Sequence, residues 1–168
     1  MSDTDGTFVP PGFAVPTRLV SGELELTPLG PQHHEGDYLA WTSSMDHIRG
    51  TPGFPWGNWP YQMPPEKNIA DLRRHAEDFQ QRKGFTYTVQ VRGEIVGCVY
   101  IYPAKDRPGH AAVRSWVRHD HADLDSVLYH AVLEWLRDWP FTGIDYAPRP
   151  PRWRTRAEDS SARNAYRS

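Results

Sequence analysis

The sequence holds a single cysteine, Cys98, in 168 residues, which excludes an intramolecular disulfide framework and a thiolate-rich metal site. Cys98 sits in the apolar run of Ile95, Val96, Val99 and Ile101 and reads as a small packed hydrophobe. No apolar stretch approaches the roughly 20 residues of a membrane-spanning helix. No basic segment leads into an apolar run after Met1, so a secretory signal is not expected. Internal repeats, a phosphate-binding glycine loop and the known nucleophile motifs are also missing. These absences leave a soluble, cytoplasmic protein without structural disulfides as the expectation.

What is abundant is aromatic surface, with seven Trp, eight Tyr and six Phe. Such side chains bury large areas each, and the length suits one α/β domain with a real core. Residues 1–20, with Pro10, Pro11, Gly12 and Pro16, are expected to be a flexible segment. Residues 21–147 read as a single domain, and residues 148–168 as a flexible Arg/Pro-rich tail. Charge is uneven: in residues 147–168 six arginines face Glu158 and Asp159, a balance of +4, so a chain of net charge −2 carries −6 elsewhere. That tail admits two readings, a nucleic-acid arm around Trp153 or a solvated terminus. Its proline, serine and alanine content offers nothing to pack and favours the second.

The pattern of elements is clearest from residue 85 onward. Phe85, Tyr87, Val89 and Val91 alternate with polar residues, Arg92-Gly93 turns the chain, and residues 94–103 form a nearly all-apolar central strand. Gly97 within it points to a bulge or a close backbone approach. Residues 111–118 make a further strand. Leu124, Val127, Leu128, Ala131, Val132, Trp135, Leu136 and Trp139 then hold helical spacing until Pro140, and residues 142–147 form a last strand. Upstream, Leu24 and Leu26 mark a strand ending near Pro28. Tyr38, Leu39, Trp41 and Met45 mark a helix, and Ile69, Leu72, Ala76 and Phe79 mark another that starts at Pro64-Pro65. Residues 45–64 form a long Pro/Gly/Trp loop, a lid or an irregular packed segment.

Strand, two helices, a central hairpin, another strand, a long helix and a strand resemble the GCN5-related N-acetyltransferase (GNAT) family over residues 24–147. The likeness is sharpest where Val113-Arg114-Ser115-Trp116-Val117-Arg118 runs into the helix of Leu128, Val132, Trp135 and Leu136. It implies a mixed, mainly antiparallel sheet with helices on both faces. It also implies transfer of an acetyl or related acyl group from acetyl-CoA to an amine. In that family the strand at residues 113–118 bonds the pantetheine arm, and the following turn, with the pattern R/Q-x-x-G-x-G/A, cradles the pyrophosphate.

Here the turn reads Arg118-His119-Asp120-His121-Ala122-Asp123-Leu124, without a glycine. Phosphates must approach backbone N–H groups closely at a helix N-terminus, and Asp123 or Asp125 is placed to cap that helix itself. The resemblance puts Trp116, Val117, Arg118, His119 and Ser126 at the cofactor. A base near neutral pH is sought among His110, His119, His121 and Glu94. Tyr146 is the candidate for the general acid that family members often carry after the last of these strands. Phe54, Trp56, Trp59 and Tyr61 crowd the long loop and either wall an apolar acceptor pocket, with Trp56 and Trp59 as acceptor contacts, or plug the core beneath the first helix; Tyr100 and Tyr102 are acceptor contacts if they face the cleft. His119 and His121 are a weak metal pair, better explained as a solvated polar turn. No metal is expected. The acceptor partner is a small-molecule or protein amine, a homodimer through the aromatic loop is an option, and neither membrane nor nucleic acid is an expected partner. The rival reading is a binding module on the same scaffold that has lost efficient CoA binding.

Overall fold

The alternation of residues 85–91 and the apolar run after them produce the centre of a six-stranded sheet. The computed structural model describes residues 8–149. In chain order the strands are β1 (Leu19–Ser21), β2 (Leu24–Pro28), β3 (Phe85–Val91), β4 (Glu94–Pro103), β5 (His110–Val117) and β6 (Gly143–Tyr146), and they lie side by side in that same order. All neighbours are antiparallel except β5 and β6, which are parallel. The β3–β4 turn needs two residues in the left-handed region, and Arg92 (φ 53°) and Gly93 (φ 81°) supply them.

Gly97 is both a bulge neighbour and a close approach. Val89 faces Gly97 while Gln90 faces Ile95, so Val96 is the extra residue. A Cβ at Gly97 would lie 2.4 Å from the Trp116 carbonyl oxygen, which only glycine permits.

Each sheet face buries its own core. On one, α4 (Leu124–Leu136) lays Leu128, Val132 and Leu136 against Tyr87, Val99 and Val113. On the other, α1 (His34–Thr42), α2 (Met45–Arg49) and α3 (Pro65–Gln80) enclose Trp41, Ile48, Phe54 and Leu72 against Cys98, Tyr100 and Trp116. The long loop between α2 and α3 is partly core, because Phe54 and Met63 are buried.

Two boundaries differ from the expectation. Residues 8–20, assigned to a flexible segment, are packed in the described structure. Val9 is buried, and Arg82 donates to the carbonyls of Pro10 (2.6 Å) and Phe13 (2.9 Å). Tyr87 donates to Pro16 O at 2.6 Å. A proline-rich stretch offers carbonyls that no helix or ladder claims, and these side chains take them. Leu19–Ser21 adds a short edge strand that hydropathy did not mark. At the other end Arg149 is buried, so the packed region runs past residue 147; the rest of the proposed tail, residues 150–168, lies outside the described residues.

Candidate functional site

The parallel pair β5–β6 holds together from His110–Gly143 to Val113–Tyr146. Ala147 N then donates to Val113 O at 2.9 Å, and beyond it, among the described residues, β5 continues without a strand partner on that side. Arg149 fills the opening. Its Nη2 donates to Ser115 O (2.9 Å) and Ser115 Oγ (3.1 Å), its Nη1 to Ala147 O (3.0 Å), and its Nε to Asp125 Oδ2 (2.7 Å). The guanidinium carbon lies 5.5 Å from the Tyr129 ring and 5.6 Å from the Tyr146 ring. Desolvating two charges is costly, and this arrangement offsets the cost with attraction, hydrogen bonds and aromatic faces. Tyr146 bonds Ser115 Oγ through its hydroxyl, and burial raises its phenol above the ordinary range, so it stays protonated.

The turn from β5 into α4 is equally engaged. The His119 N–H donates to Ser44 Oγ at 3.0 Å. Arg118 spans both oxygens of Asp120 (3.1 and 2.7 Å) and reaches Glu94 at 2.6 Å. Asp123 occupies the N-cap position of α4 without a side-chain capping bond, and Asp125 turns to Arg149. Asp120 and Asp125 therefore serve arginines rather than capping the helix.

The proposed catalytic residues Glu94, His110 and Tyr146 are not brought together. Glu94 opens β4 beside Arg118, at the α4 end of β5. His110 begins β5 at the opposite end, packed on Gly143 with its Nδ1 3.5 Å from Asp145 and no hydrogen bond. At about 3.3 Å per residue, the five residues from His110 to Ser115 hold the imidazole well away from the opening. Tyr146 alone sits there. Among the proposed cofactor contacts, Trp116 is buried and donates to Tyr100 OH at 3.0 Å, and Val117 is buried in the α4 core. Ser126 lies in the first turn of α4, its carbonyl accepting from His130.

The proposed acceptor residues divide. Trp56 is 74% exposed, with the Arg49 guanidinium carbon 4.8 Å from its ring centre. Trp59 and Tyr100 line a cavity of about 430 Å³ between α1, α3 and the sheet, with Asp37, Asn68 and His75. Tyr102 lines a smaller neighbouring hollow of about 310 Å³, and Tyr100 and Arg114 border both. Asp37 is 4% exposed, and among the described residues its carboxylate accepts only from Asn68 Nδ2, at 3.4 Å. Burial raises its carboxyl to about 7, against the lowering pull of Asn68. His75 is pushed down to about 4 by burial, with Arg74 adding to the effect. Perturbed titrations on one cavity wall are a functional-site signal. The sequence offered a trace of it. Asp37, Ala40 and Trp41 share the buried face of α1, and Asn68, Leu72 and the half-buried His75 share one face of α3, so polar groups stand in apolar stripes.

Neither a protein-family model nor a curated protein matches the sequence. Solved structures do. An acetyltransferase from Salmonella typhimurium that modifies the N-terminal serine of ribosomal protein L7/L12 aligns with a TM-score of 0.59 at 14% identity, covering 87% of this chain and 81% of its own. The microcin C7 self-immunity acetyltransferase MccE, solved with acetyl-CoA and AMP, aligns at 0.58 and 13% identity, covering 74% and 67%. RimL, an L7/L12 acetyltransferase solved with coenzyme A, aligns at 0.56 and 13%, covering 70% and 66%. The fold is that of the GCN5-related N-acetyltransferases. This chain spans about two thirds of the length of MccE and RimL.

Within the GNAT fold, the free edge of β5 and the turn into α4 are the places that the resemblance gives to pantetheine and pyrophosphate. In this chain Arg149 takes the Ser115 carbonyl, Ser44 takes the His119 N–H, and Asp120 and Asp125 hold Arg118 and Arg149 in salt bridges. As arranged, these residues do not fit acetyl-CoA. Among the described residues no group of His, Cys, Asp and Glu is placed to hold a metal, and no helix is long and apolar enough to cross a membrane.

Proposed function

We propose that this protein is a small-molecule-binding module on the GNAT scaffold, with its ligand in the aromatic cavity of Asp37, Trp59 and His75 and its sheet opening closed by its own Arg149. The observation that carries the reading is the Arg149–Asp125 pair. It is buried inside the gap, and displacing the guanidinium would leave Asp125 charged and without its partner in a dry site. Incubating the full chain with radiolabelled acetyl-CoA and a panel of amines and peptides tests the reading. The expected result is no acetylated product above the uncatalysed rate, and turnover would overturn it.

The second reading is an N-acetyltransferase acting on an amine of unidentified acceptor class. It rests on the fold shared with acetyltransferases and on a carboxyl, Asp37, held near neutrality in a cavity beside β5. It requires Arg149 to leave the opening. Under it, Arg149→Ala would gain acetyl-CoA-dependent turnover; under the first reading it gains none.

A further inference from the structure

The cavity floor presents acceptors without donors to match them. Asp37 has two carboxylate oxygens, a single long bond from Asn68, and no cationic partner among the described residues. The Asn68 amide is shared, its other bond going to His34 Nδ1 at 3.3 Å, while its oxygen accepts from Trp41 Nε1 at 3.1 Å. A buried carboxylate left in this state is costly unless a cation or donor meets it.

His75 is a second acceptor, and its neighbours fix which nitrogen serves. Tyr102 donates its hydroxyl proton to Asp78 Oδ2 at 2.9 Å. Its oxygen is then left to accept from His75 Nδ1 at 3.0 Å, with Thr86 Oγ1 also 3.0 Å from that nitrogen. The network thus assigns the proton to Nδ1. Nε2 keeps its lone pair, and it has no partner among the described residues while His75 lines the cavity.

The rim has the opposite charge. Arg74 is held by Asp71 at 3.6 Å, and Lys67 by the Tyr61 hydroxyl at 3.0 Å. Arg114 is exposed, lies 4.9 Å from the ring centres of Phe54 and Tyr100, and donates to Gly53 O at 3.3 Å. It has no carboxylate partner among the described residues.

We infer that the cavity takes a zwitterionic ligand of amino-acid size. Its cationic side-chain head, ammonium or guanidinium, donates to Asp37 and to His75 Nε2 at the floor, and its carboxylate meets Arg114 at the rim. The volume falls in the range of roughly 300–1,000 Å³ usual for small-molecule sites, and the aromatic walls of Trp59 and Tyr100 favour a cation over a neutral isostere. This inference rests on the proposed reading of the cavity as the ligand site.

The test is calorimetric titration of the full chain with arginine, lysine, citrulline and agmatine at pH 8. Arginine or lysine is expected to bind at least tenfold tighter than citrulline, which keeps the α-ammonium and the carboxylate but has a neutral side-chain head. Asp37→Asn should remove that preference, and Arg114→Gln should remove the preference of arginine over agmatine. Equal binding of arginine and citrulline, or discrimination that survives Asp37→Asn, would overturn the inference while leaving the cavity reading in place. No binding of arginine or lysine at 10 mM would overturn it also, and acetyl transfer activity would instead strike the underlying reading. If Asp37→Asn fails to fold, the histidine tautomer decides the floor chemistry. A long-range 15N–1H spectrum should show His75 protonated on Nδ1, and a proton on Nε2 would refute it.

Discussion

Arg149 and Asp125 meet at 2.7 Å with side chains 2% and 4% exposed, in the gap where β6 has parted from β5. An ion pair this dry is weak evidence for stability as such, because hydrophobic replacements of similar shape often do as well. It is strong evidence about occupancy. The group that would have to enter this gap must first remove a guanidinium that bonds the strand's own carbonyl.

Arg149→Ala is expected to destabilise the fold by about 3–5 kcal/mol, since it leaves Asp125 charged, buried and unmatched. The double replacement Arg149→Met with Asp125→Leu should recover most of that loss. Urea denaturation of the three proteins checks both statements, and an unchanged midpoint for Arg149→Ala would contradict the first.

The cavity titrations give stability a pH signature. Asp37 ionises at about 7 folded against 3.8 ordinarily, so between about pH 4 and 7 the folded state keeps a proton that the unfolded chain has released. Its contribution falls as pH rises through that window, by on the order of 4 kcal/mol in total. His75, at about 4 folded against 6.5, has the opposite sign: the unfolded chain binds a proton that the folded state refuses, and stability is lost as pH falls from 6.5 toward 4. The two slopes oppose each other in the wild type. The facing groups are His34 and Asn68 on the helices, Arg74 and Asp78 on α3, Cys98 and Tyr100 on β4, and Arg114 on β5. Asp37→Asn should therefore expose stability that climbs between pH 4 and 6.5, and His75→Gln stability that declines between 4 and 7. Thermal melts across that range check the signs.

Gly97→Ala should cost about 1–3 kcal/mol or more, because its new Cβ would press on the Trp116 carbonyl, a backbone atom that cannot swing away. Denaturation of this single variant measures it, and a neutral outcome would show that the β4–β5 pair has slack at the bulge.

Much of the fold was legible because hydrophobic period and turn chemistry agree. The alternation of Phe85 to Val91, the Arg92-Gly93 turn, Gly97 and the Leu128–Val132–Leu136 stripe each specify an element that the structure contains. The first helical segment was harder to place, since Leu39 is 65% exposed and the chain breaks into two short helices there. The site was much less legible. Asp37 and His75 are separated by 38 positions and meet one cavity only through the packing of α1 against α3, which periodicity cannot show. Arg149 lay in what read as a solvated basic tail, and nothing local distinguishes it from Arg152 or Arg154. The glycine-free turn was the one sequence feature that pointed at the altered opening, though the reason differs: Asp120 and Asp125 hold arginines instead of capping α4.

Isothermal titration of acetyl-CoA into the full chain tests the central claim most directly, because it asks whether the opening beside Ser115 is available. The closed opening predicts no saturable heat up to 1 mM ligand, a limit of about −4 kcal/mol in binding free energy. A dissociation constant in the tens of micromolar would show that Arg149 yields to the nucleotide thioester, and would contradict the account.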